Sequence, residues 1–221
     1  MTIQECIDKA EKGESKLTKA YINKLDGLSS PKVWHLLNNL CSISDSYLEV
    51  GCFKGSTLLA ALYKNPVYAF AIDNFTMSPG TRKDFFENTK NAKFDFFEGD
   101  SFSCDLNKIT KPITLYFYDG DHSAEAQYKA LTYFADSLAD EFILVVDDWD
   151  LPKMKKCTFA AIKDLGFTLV EHYELKGETL GTQVERKAGW WGGICAMRVR
   201  KNSGEIKGLS NLINRKIAQH G

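Results

Sequence analysis

From Tyr47 onward the chain alternates short apolar runs with longer amphipathic stretches. "YLEV", "VYAFAI", "FDFFEG", "ITLYFY" and "FILVV" read as strands, while the segments near "GSTLLAALY", "RKDFFENTK", "SAEAQYKALTYFADSL" and "MKKCTFAAIKDL" carry apolar residues at helical spacing. Strands apolar on both faces with helices between them predict a parallel sheet covered on both sides. Two later runs, "FTLVEHYEL" and "GGICAMRV", are joined by "KGETLGTQVERKAGWWG", which reads as a long connection without a helix. They are expected to pair as an antiparallel hairpin at one edge, giving an α/β sheet of seven strands, five of them parallel.

Residues before Ser46 read as helical. "IDKAEKGESKLTKAYINKL" mixes charges with spaced apolar positions, and "SSPKVWHLLNNLC" pairs capping serines and an early proline with a stripe of Val33, Leu36, Leu37 and Leu40. The expected organisation is a helical cap over 1–45, a sheet domain over 46–200 and a basic amphipathic tail over 201–221. In the tail Leu209, Leu212, Ile213 and Ile217 recur at helical spacing, suited to packing on the domain itself or on a second copy in a homo-oligomer.

A length of 221 residues, 44% hydrophobic and 26% charged, describes an ordinary folded chain. The net charge of -1 gives no basic excess for nucleic acid. The six cysteines are scattered without C-x-x-C pairs, which suits buried free thiols in a reducing cytoplasm. No apolar run approaches the ~20 residues of a membrane span.

In open α/β sheets ligands bind at the carboxyl ends of the strands, and there this chain places acids. "EVGCFKG" lacks the second glycine of a pyrophosphate-binding G-x-G-x-x-G turn, and Glu49 would repel a phosphate. It suits a ligand with positive charge instead. Gly51 permits close approach, Gly55 closes the turn, and Ser56 and Thr57 open the next helix where a carboxylate can bind. Asp73 ends the second strand where an acid can hold ribose hydroxyls. After the third, Asp100 and Ser101 are placed to read an adenine edge. Ribose, adenine, an amino-acid carboxylate and a cationic centre together describe S-adenosylmethionine.

With "LEVGCFKGST" followed by "AIDNF", the chain resembles the class I S-adenosylmethionine-dependent methyltransferases over roughly residues 46–200. That resemblance implies a Rossmann-like fold and a methyl-transfer reaction. "DGDHS" after the fourth strand and "VVDDW" after the fifth most resemble the macrocin O-methyltransferase-like, metal-dependent group. This implies Asp119, Asp147 and Asp148 as ligands of Mg²⁺ or another divalent cation, and Asp121 or His122 as the general base. The implied acceptor is a hydroxyl of a small molecule or glycan. Trp149, Trp190 and Trp191 are candidates for the acceptor pocket or for the core. Three rivals stand beside this reading. One is a binding protein without catalysis. N-methylation is disfavoured by the missing N/D-P-P-Y/F signature, and an NAD-dependent oxidoreductase by Glu49.

Overall fold

The computed structural model describes residues 1–177 and 182–202. Most of the 201–221 tail lies outside the described residues, as does 178–181 of the connection before the last strand. In chain order the elements are α1 (Ile3–Glu11), α2 (Lys19–Ile22), α3 (Pro31–Cys41), β1 (Ser46–Val50), α4 (Ser56–Leu62), β2 (Tyr68–Asp73), α5 (Thr81–Thr89) and β3 (Asp95–Glu98). They continue with β4 (Ile113–Tyr118), α6 (Ala124–Thr132), β5 (Leu138–Val146), α7 (Pro152–Asp164), β6 (Thr168–Leu175), α8 (Gln183–Ala188) and β7 (Ile194–Arg200). The seven strands form one sheet in the order β3-β2-β1-β4-β5-β7-β6. β7 is antiparallel to both β5 and β6, and every other pairing is parallel. This is the Rossmann-like arrangement with the terminal hairpin that the strand pattern predicts.

Strand periodicity divides the core between the two faces. Leu48, Val50, Phe70, Ile72, Tyr116, Tyr118, Leu144 and Val146 face one way, against Leu131, Met154 and Ile162 of α6 and α7. Tyr47, Ala69, Ala71, Leu115, Phe117, Ile143 and Val145 face the other, against Ile3, Ile7, Leu36, Leu37 and Leu58. The helices before β1 thus share a core with the sheet. β6, at the edge, alternates exposed and half-buried residues.

Local chemistry corrects several sequence expectations. The first helical stretch breaks at Gly13, whose φ of 68° ends α1, and only the short α2 follows. The stretch from Ser123 is a helix only to Thr132, because Leu138 is buried and pairs with Ile113, so β5 starts four residues before Phe142. The connection before β7 does contain a helix, α8. Thr182 caps it in a capping box with Glu185, a T-x-x-E signal present in the sequence. All six cysteines are free, and all but Cys157 are buried. Among the described residues no helix is long and apolar enough to cross a membrane.

Candidate active site

β1 and β4 are neighbours, yet the chain leaves them in opposite directions along the sheet, toward β2 and toward β5. That reversal opens a crevice at their carboxyl ends. A cavity of about 650 Å³ occupies it, lined by Gly51, Ser56, Thr57, Asp73, Asp100, Ser101, Asp119, Asp121, His122, Asp147 and Asp148, with Leu28, Met77, Phe102, Arg186 and Trp191 among the others. Glu49 and Gly55 do not line it.

Glu49 lies below the cavity floor. It has no solvent exposure and accepts hydrogen bonds from Tyr47 at 2.5 Å and Thr57 at 2.6 Å. Burial pushes its carboxyl up to about 8, and the two hydroxyl donors only partly oppose this. Its reach to a ligand therefore runs through Thr57, whose hydroxyl proton is already committed. Gly51 lines the cavity and has a further use besides. With φ of 88°, it brings β1 so close to β4 that a Cβ would stand 1.9 Å from the Asp119 carbonyl oxygen. At Gly55 a Cβ would meet Thr89 and Phe85, so that glycine serves helix packing.

Asp73 does more than face the ligand. One carboxylate oxygen accepts from the backbone N–H groups of Cys52 and Phe53, both at 2.7 Å, and the other from Phe75 at 2.6 Å. Two oxygens offer about four acceptor positions, so the Oδ1 that serves Phe75 keeps one for a donor in the cavity. Phe53 and Phe75 have φ of 48° and 53°, a region unfavourable for residues with a Cβ. The anion thus holds two strained turns at the cavity edge. Asp100 caps the next turn by accepting from Phe102 at 3.1 Å.

The other half of the cavity is acidic. Asp119 follows β4, and Asp147 and Asp148 follow β5. The His122 ring stands between two of them, Nδ1 3.0 Å from Asp148 and Nε2 3.6 Å from Asp119. These carboxylates raise His122 to about 10, so it carries its proton at neutral pH. Asp147 is held well above the carboxylate range by burial and by the charges of Asp119 and Asp148, and it shares a hydrogen bond with Asp119. Asp148 has φ of 51°, and Gly192 admits it, since a Cβ there would lie 1.9 Å from its Oδ1. Asp121 turns away. Its oxygens accept from the Ser123 backbone at 2.9 Å and hydroxyl at 3.0 Å, at the start of α6.

This arrangement does not fit the metal set that the resemblance implies. The imidazole sits between Asp119 and Asp148, and among the described residues no group of three or more His, Cys, Asp or Glu is placed to hold a metal ion.

The three tryptophans separate. Trp149 packs against Phe159 in the core, and Trp190 donates to Glu11 at 2.7 Å. Trp191 lines the cavity with the Arg186 guanidinium 4.3 Å from its ring centroid. Arg186 and Leu28 have no sequence signature. The capping box that places α8 was the one usable cue for the arginine.

No family model and no curated protein sequence matches the chain. Solved structures do. The O-methyltransferase from Bacillus cereus in complex with S-adenosylhomocysteine (SAH) is 13% identical, covering 90% of each chain, with a TM-score of 0.56. The SAH-bound Podospora anserina methyltransferase PaMTH1 is also 13% identical, covering 91% of this chain and 88% of its own, with a TM-score of 0.57. A precorrin 8W decarboxylase from Methanobacterium thermoautotrophicum is 20% identical over 80% and 93%, with a TM-score of 0.53. Likeness at this identity fixes the fold, and the decarboxylase illustrates that one fold serves several reactions.

Proposed function

We propose that the chain is an S-adenosylmethionine-dependent methyltransferase acting on a hydroxyl oxygen of a small molecule or glycan. The observation that carries this reading is the division of a single cavity. One half, at the ends of β1, β2 and β3, offers a strained turn held by Asp73 and a capped turn at Asp100. The other, at the ends of β4 and β5, offers acids bridged by His122. A volume of about 650 Å³ falls in the range of small-molecule sites, with room for a cofactor and a small acceptor group. SAH in the Bacillus and Podospora structures supports the cofactor assignment.

When bound, S-adenosylmethionine supplies an electrophilic methyl group on a sulfonium, to which the acceptor oxygen bonds as the carbon–sulfur bond breaks. The chain's residues deal with the charge and the proton. Asp73 uses its remaining acceptor position to orient the ribose. His122, positively charged at neutral pH, faces the alkoxide that develops on the acceptor. The hydroxyl proton passes to a carboxylate beside it, Asp148 or Asp119. His122 is thus favoured over Asp121 as the working residue, because Asp121 is engaged with Ser123. Titration with SAH, followed by a screen of hydroxylated acceptors with labelled methyl donor read by mass spectrometry, tests the reading. Tight SAH binding and a labelled methyl ether are expected; a protein that binds no SAH overturns it.

A further inference from the structure

Among the described residues, Arg186 is the one arginine or lysine lining a cavity that carries six aspartates. It nevertheless pairs with none of them: no described carboxylate lies within ion-pair distance, and its Nε is buried without a hydrogen-bond partner. A buried N–H group without an acceptor is costly, and it persists where something outside the chain supplies the acceptor. The guanidinium lies over the Trp191 ring at 4.3 Å, and both residues line the cavity, so a ligand seated there meets this cation. A planar guanidinium edge matches the two oxygens of a carboxylate or phosphate.

Neighbouring residues indicate which ligand this is. Trp191, over whose ring Arg186 lies, is followed by Gly192, which packs directly against the Asp148 carboxylate, so Arg186 belongs to the half that holds Asp147 and Asp148. The ends of β2 and β3, with Asp73 and Asp100, lie across β1 and β4. We infer that Arg186 binds an oxyanion of the methyl acceptor, which is therefore a hydroxylated acid, carboxylate or phosphate, and not a neutral sugar or alcohol. The inference rests on the methyltransferase reading for the word acceptor, but the anion site itself does not.

The test uses the full chain, isotopically labelled, with and without SAH. Benzoate, phenyl phosphate and neutral benzyl alcohol are titrated in, and the Arg186 Nε–H and Trp191 Nε1–H resonances are followed. At least one anion should bind saturably and about 10-fold more tightly than benzyl alcohol, and the tighter of the two identifies the group. Arg186→Gln should abolish the preference, Arg186→Lys should keep a weakened one, and both should bind SAH within about two-fold of the wild type. Anions that bind no better than benzyl alcohol overturn the inference. So does a variant that loses about 10-fold or more in SAH affinity while 5′-methylthioadenosine, which lacks the amino-acid end, binds unchanged. That result assigns the arginine to the cofactor's carboxylate. Wild-type protein that takes the anion but not SAH would strike the methyltransferase reading and leave the anion site standing.

Discussion

Thr57, in the first turn of α4, donates its hydroxyl to the fully buried Glu49 at 2.6 Å. A residue on the cavity wall is thereby fastened to a carboxylate beneath it, with Tyr47 as second donor. The acid in an apolar strand is explained by this network within the protein.

Glu49 should make stability depend on pH. Its carboxyl stands at about 8 in the folded chain against 4.5 in the reference state. A raised folded value means that its stabilising contribution is complete below about 4.5 and is lost as pH rises through about 8. The interval corresponds to on the order of 5 kcal/mol. Denaturant unfolding of wild type and Glu49→Gln from pH 5 to 9 should show the wild type losing stability relative to the variant. Parallel curves would rule out a raised carboxyl.

Asp73→Ala should lower binding and stability together. Three backbone donors lose their acceptor, and each charge-assisted bond is worth about 1.5–3 kcal/mol. SAH affinity should fall at least ~100-fold, with a lower melting temperature and faster hydrogen exchange at Cys52, Phe53 and Phe75. Lost affinity with an unchanged melting temperature would mean that Asp73 serves the ligand alone.

His122 and Asp121 separate by kinetics. His122→Gln should reduce methyl transfer by roughly 10²–10³ with SAH affinity kept, whereas Asp121→Asn should change turnover little and affect mainly the start of α6. Equal losses in both variants would return Asp121 to the chemistry.

Chelation separates the bridged acid cluster from a metal centre. Turnover on an identified acceptor should persist in excess EDTA, and calorimetry with Mg²⁺ or Ca²⁺ should show no tight site. Lost turnover restored by Mg²⁺ would show that the carboxylates rearrange around a cation.

The parallel strands and the terminal hairpin were legible because buried strands are long apolar runs and edge strands alternate. The acids were legible because strand ends face the crevice, so Asp73, Asp119 and Asp148 could be placed by counting. Side-chain direction was not legible. A single residue of phase puts Glu49 on the face under α4 and away from the cavity, and Asp121 is drawn off by a serine two positions on. Arg186 was hidden for a further reason: its neighbour Trp191 is fixed by tertiary packing and not by local spacing.

The hydrogen bond between Glu11 and Trp190 spans 179 positions, and that between Ser30 and Gly189 spans 159. Contacts so distant along the chain close the largest loops and are expected to form late in folding. The wall that carries Trp191 and Arg186 is consequently assembled from opposite ends of the polypeptide. The turn anchored by Asp73 joins residues only about 20 apart. On gentle warming the wall closed by these long-range contacts should loosen before the turn anchored by Asp73 does, so selectivity among candidate acceptors should fall before affinity for SAH.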